Sequence, residues 1–187
     1  MSGFDPQGVK TGTYDEWGGG DFKPPAEGWH VFQVVEAERK MSSSNNPMIA
    51  VRAKAILSDD EESEGRSVFE NFVIDPKFYG KLSSFCTAVD PEMQSAANCG
   101  GRYEGEGSGL DIDRQESLDY HILGQPFRGR VYHKREEYKG EKRIKAQIGK
   151  YETIRKEDAD RLLNKYGENL VPELEAGSGG AAPDDVY

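Results

Sequence analysis

Two runs in the last third of this 187-residue chain alternate basic and apolar side chains with a period of two. Only a β-strand sends successive side chains to opposite faces, so the pattern dictates extended structure with one wet side and one dry side. In the first run Arg128, Arg130, Tyr132 and Lys134 share a face, and Phe127, Gly129, Val131 and His133 share the other. In the second, Arg143, Lys145 and Gln147 oppose Ile144, Ala146 and Ile148. The stretch Pro126–Tyr151 holds nine Lys or Arg against three acids, a net +6, while the whole chain carries −10, which leaves −16 on everything else. That balance argues against nucleic-acid binding over the entire surface. It leaves room for a local basic patch, because salt screens charges beyond about 8 Å.

The rest of the chain divides around a folded middle. With 35% hydrophobic and 31% charged residues it is too polar for a compact globule throughout, and too rich in Phe, Tyr, Val and Ile for disorder. We expect an irregular N-terminal arm over 1–27, a domain over 28–153, a helix within 154–170 and a flexible acidic tail over 171–187. Gly28 to Lys40 reads as a partly buried strand with apolar residues on both faces. The turn-forming MSSSNNP then separates it from Met48–Leu57, where Ile49, Val51, Ala53 and Ala55 face one way and Arg52 and Lys54 the other. Asp59–Glu64, with five acids in six residues, is a solvated loop. Arg66–Val73 is a third strand, and Lys77–Val89 an amphipathic helix with Phe78, Leu82, Phe85 and Val89 as its packing stripe. A Gly-rich stretch (Asn98–Asp111) and a short helix (Asp113–Leu123) lead into the basic runs, joined at Glu136–Glu141. Arg155–Tyr166 is helical, with Ala159, Leu162, Leu163 and Tyr166 on one side and Gly167 as its stop.

Five strands with a helix between the third and fourth match a mainly β architecture, the five-stranded antiparallel OB-fold barrel, here followed by a C-terminal helix and a disordered acidic tail. That fold binds oligonucleotides on strands 2 and 3 and on the loops after strands 1 and 4, here Lys40–Pro47 and Glu136–Glu141. Most of the charge lies on strands 4 and 5, so the groove is either centred on strands 2 and 3 or shifted toward the last hairpin. The motifs GWHVFQVVEAERK, MIAVRAKAIL, GRSVFENFVID, KLSSF and GRVYHKREEYKGEKRIKAQIGKY occur in this order between about Pro24 and Tyr151. In that order and spacing they resemble the phage-encoded single-stranded DNA-binding proteins with an OB-fold. The ending PDDVY resembles the acidic tips by which bacterial and phage single-strand binders recruit replication and repair partners.

The expected function is therefore sequence-independent binding of single-stranded DNA in phage DNA replication or recombination. Arg52, Lys54, Arg128, Arg130, Lys134, Arg143 and Lys145 would neutralise phosphates, with counterion release driving affinity. Tyr132, in register with three basic residues, and Tyr138 at the hairpin would stack bases. Trp29 and Phe72 are further stacking candidates that could equally be core. Asp184, Asp185, Val186 and Tyr187 would form the partner-binding tip. The preference for DNA over RNA comes from the resemblance alone, and the alternative is an OB-fold module that binds RNA or a protein partner through the same face. No catalytic residues, metal or cofactor are expected. The acids of Asp59–Glu64 are contiguous, and His30, His121 and His133 belong to no nucleophile motif. Cys86 and Cys99 fit no zinc or redox spacing and read as free thiols. With no signal-like N-terminus and no apolar run near 18 residues, a cytoplasmic protein is expected, in the bacterial host if phage-encoded.

Overall fold

A computed structural model describes residues 23–90, 110–138, 141–172 and 174; within the strands, the side chains of 136, 138 and 141–143 are outside the description. The described residues form a mainly β structure of five antiparallel strands and three α-helices. The strands are β1 (Gly28–Met41), β2 (Pro47–Ser58), β3 (Ser67–Val73), β4 (Pro126–Tyr138) and β5 (Glu141–Glu152). The helices are α1 (Tyr79–Val89), α2 (Gln115–His121) and α3 (Lys156–Tyr166). The sheet order is β3-β2-β1-β4-β5, and the sheet is open: no ladder joins β3 to β5.

The inner face follows the apolar phase of each strand. Phe32, Val34, Ile49, Val51, Ala53, Ala55, Val68, Phe72, Phe127, Val131 and Ile148 form the main core with Leu82, Phe85, Cys86, Ala88 and Val89 of α1. Phe72 and Phe85 stack at 4.6 Å between centroids, and Phe127 meets Phe85 edge-on at 5.4 Å. Phe72 is thus core, not a stacking surface. Phe78 departs from the expected packing stripe. It lies in a 3-10 turn (Pro76–Phe78) ahead of α1, and the tighter pitch of that turn carries its ring out to 57% exposure.

Register shifts explain where simple alternation fails. One shift, between Val34 and Glu36, moves Ala37 into the same core as Phe32 and Val34. Another, opposite Val31 and Phe32, lets β2 turn Ile56 and Leu57 away from the main core. These two join Val31 and Leu162 of α3 in a second cluster, flanked by Ile154, Tyr166, Leu170 and Val171. Helix α3 is thereby fastened across β1 and β2. Leu163, expected on its packing side, is 47% exposed, because Leu162 alone takes the buried position.

One inward position is not apolar. Along β3, Val68, Glu70 and Phe72 all point inward, and Glu70 is 5% exposed. Its Oε1 accepts a hydrogen bond from the Ile148 amide of β5 at 2.6 Å, and its Oε2 one from Lys81 Nζ of α1 at 2.5 Å. A single carboxylate thus links the two edge strands where backbone pairing is missing. The Tyr151 hydroxyl is buried beside it, and its pKa is raised, first by burial and then by the Glu70 charge.

The connection between β4 and β5 is shorter than expected. Strand pairing persists through Glu136–Tyr138, and Tyr138 pairs with Glu141, so the pairing reaches well into the stretch expected as a loop. β4 pairs with β1 over Pro126–Val131 only, and its remaining length pairs with β5 alone. The last two strands therefore extend past the start of β1 as a two-stranded ribbon.

Candidate nucleic-acid interface

The outer face of this ribbon is set by register. Arg130 lies opposite Lys150, Tyr132 opposite Gln147, and Lys134 opposite Lys145. Between the first two pairs β5 carries one extra residue, Gly149, since Arg130 pairs with Lys150 while Val131 pairs with Ile148. The bulge brings Lys150 back to the outer face, so two like-charged pairs bracket a tyrosine. Arg130, Lys134 and Lys150 are exposed and Lys145 is half-buried. Among the described residues, none of these four has a carboxylate within ion-pair distance. Like charges directly opposite each other oppose strand pairing, on the scale of about 0.2–1 kcal/mol that cross-strand pairs carry. A polyanion laid across the ribbon would remove that cost.

Tyr132 is 38% exposed, and the Arg130 guanidinium lies 5.1 Å from its ring centroid. Trp29 of β1, partly exposed, stands opposite Arg130 and extends the same face by one aromatic. The face therefore reads Trp29, Arg130, Tyr132, Lys134, an alternation of rings and cations.

The root of the ribbon is held from its inner side by the end of the N-terminal arm. His133 Nε2 meets the Pro25 carbonyl at 2.9 Å, and the His133 amide donates to Glu27 Oε1 at 2.8 Å. Next to it, His30 Nε2 meets the Ala26 carbonyl and His30 Nδ1 meets Ser58 Oγ, both at 2.8 Å. A carbonyl can only accept, so Nε2 carries the proton and Nδ1 accepts from the serine. Burial lowers the His30 pKa, outweighing the opposing pull of the Ala26 carbonyl and of Asp60 and Asp59. His30 and His133 thus have structural partners.

The remaining predicted residues do not all gather here. Arg128 shares the outer face but lies under α3. Its side chain is 11% exposed, 3.5 Å from Asp158 and 4.9 Å from the Trp29 ring centroid. Arg52 pairs with Glu36 at 3.1 Å with a side chain 18% exposed. Lys54 is half-buried opposite Gln33. Register places Arg52 at Glu36 and Arg130 at Trp29, seven positions apart along β1, or about 23 Å of strand. Helix α3 covers the outer face between them, at Val31 and Ile56. The three-strand basic face expected from alternation is thus split, with its accessible part on β4 and β5.

Tyr138 and Arg143 occupy strand positions, but their side chains lie outside the described residues, as do Asp184, Asp185, Val186 and Tyr187 of the tail and Cys99. Two contributors escaped the sequence reading. Gly149 was visible as a break in alternation after Ile148, and Glu70 as a charge in the inward phase of β3. Among the described residues there is no group of three or more His, Cys, Asp or Glu that could hold a metal ion, and no helix is long and apolar enough to cross a membrane. No protein-family model matches the chain, and no curated protein matches it.

Proposed function

We propose that this chain binds single-stranded DNA independently of sequence, as a phage-type replication or recombination factor built on an OB-type barrel. The carrying observation is the pair of like-charged cross-strand contacts, Arg130–Lys150 and Lys134–Lys145, around a half-exposed Tyr132. Cations supply phosphate attraction and counterion release, and rings supply sequence-tolerant stacking, which together make a single-strand platform. Support for the barrel reading comes from the strand order, the placement of α1 between β3 and β4, and the Glu70 bridge across the open side. The groove in this reading is shifted to the last hairpin. The acidic tail ending in Asp184, Asp185, Val186 and Tyr187 serves to recruit replication or recombination partners.

The test is a titration of labelled single-stranded DNA, duplex DNA and RNA at several salt concentrations, with Arg130→Glu and Tyr132→Ala beside wild type. Wild type should prefer single-stranded DNA and show a steep salt slope. Arg130→Glu should flatten that slope by about one unit or slightly more, since it removes one cation and adds an anion. Tyr132→Ala should leave the slope alone and weaken binding roughly 5- to 150-fold, the equivalent of about 1–3 kcal/mol of stacking. Absence of binding to any nucleic acid at low salt overturns the reading in favour of a protein partner. Preference for RNA overturns the DNA assignment alone.

A further inference from the structure

Gly149 is the bulge residue of β5, yet its backbone does not require glycine: it is not among the residues with positive φ. What requires glycine is space. A Cβ at this position would stand 2.6 Å from Cε2 and 2.7 Å from Cδ2 of Tyr132, well inside contact distance. The ring therefore rests against the bulge along its Cδ2–Cε2 side, with Arg130 beside it.

We infer that Gly149 is a positioning residue, a seat that holds the Tyr132 ring against the ribbon so that it meets the base of a single strand. The inference rests on the single-strand reading above and narrows it to a ligand with stackable bases, as opposed to any polyanion. A side chain swinging freely above the sheet would lose rotamer freedom on binding; a seated ring has already lost it. The seat also explains why the extra residue falls here, since the bulge sets Lys150 opposite Arg130 and leaves bare backbone under the ring.

The test compares an oligothymidylate with an abasic oligomer of equal length, which keeps the phosphates and removes the bases. The proteins are wild type, Gly149→Ala, Tyr132→Ala and the double variant. Because the clash falls on an exposed ring and not on backbone, Gly149→Ala should fold with a urea midpoint close to wild type. It should weaken oligothymidylate binding about five- to tenfold, part of the stacking contribution of one base. Binding of the abasic oligomer and the salt slope should not change, and the double variant should bind no more weakly than Tyr132→Ala. In wild type the Gly149 Hα resonances should carry a ring-current shift that Tyr132→Ala removes.

Equal weakening toward both oligomers overturns the inference, because the glycine would then act on the ribbon or its charge. Unchanged oligothymidylate binding, or an absent ring-current shift, overturns it while leaving single-strand binding intact. If wild type binds neither oligomer, single-strand binding itself fails, and the inferred role fails with it.

Discussion

Replacing Glu70 should open the seam between β3 and β5, and the expected cost can be built from its contacts. The carboxylate accepts from the buried Ile148 amide at 2.6 Å and from Lys81 Nζ at 2.5 Å. In Glu70→Ala the Ile148 amide loses its acceptor, at about 1–3 kcal/mol for an unsatisfied buried donor. One buried methylene, Cγ, is lost as well, at about 0.8 kcal/mol. Lys81 adds little, because its side chain is 44% exposed and can be solvated. The total is roughly 2–4 kcal/mol, a large share of the ~5–15 kcal/mol typical of a domain. Glu70→Gln keeps an oxygen facing Ile148 and loses only the charge. It also relieves the cost of burying that charge, so it should cost no more than about 1–2 kcal/mol. Urea unfolding gives the totals, and hydrogen exchange at the Ile148 amide localises them. That amide should exchange faster in Glu70→Ala by more than the global loss accounts for. A Glu70→Ala cost below about 1 kcal/mol, or a Glu70→Gln cost equal to it, would refute the reasoning, since packing and not the carboxylate would then hold the seam.

Three further outcomes are expected. Gly129→Ala should destabilise by about 1–3 kcal/mol in thermal or urea unfolding, because a Cβ there would lie 3.0 Å from Ile148 Cγ2 and 3.1 Å from the buried Phe32 ring. Leu162→Ala should cost about 2–5 kcal/mol and loosen α3, seen as faster exchange of the α3 amides, since Leu162 is fully buried among Val31, Ile56 and Leu57. His30 should make stability pH-dependent. Its folded pKa lies below the unfolded value of about 6.5, so between the two the unfolded chain binds the extra proton. The His30 contribution is complete above about pH 6.5 and lost as pH falls through the folded value, so urea midpoints at pH 7.5 and 5.5 should differ less in His30→Gln than in wild type.

What the chain determined by itself was everything written in local period. The alternation of Phe127–Lys134 and Ile144–Ile148 made β4 and β5, and the apolar phase of Ile49–Ala55 gave β2 its inner face. The Leu82, Phe85 and Val89 spacing made α1, and the charge excess of Pro126–Tyr151 marked the basic ribbon. Period says which residues share a face, but not which strand lies alongside or what covers the face from outside. Only the tertiary structure decided that α3 lies across β1 and β2, bringing Asp158 to Arg128 thirty positions away in the chain and separating Arg52 and Lys54 from Arg130. The same holds for Glu70, whose partner Ile148 is 78 positions distant. The bulge at Gly149 adds a subtler case, because one extra residue reverses the parity of everything after it. Parity is local, whereas register and covering contacts depend on which distant segments bury the most apolar surface together, and those are settled only when the whole chain has folded.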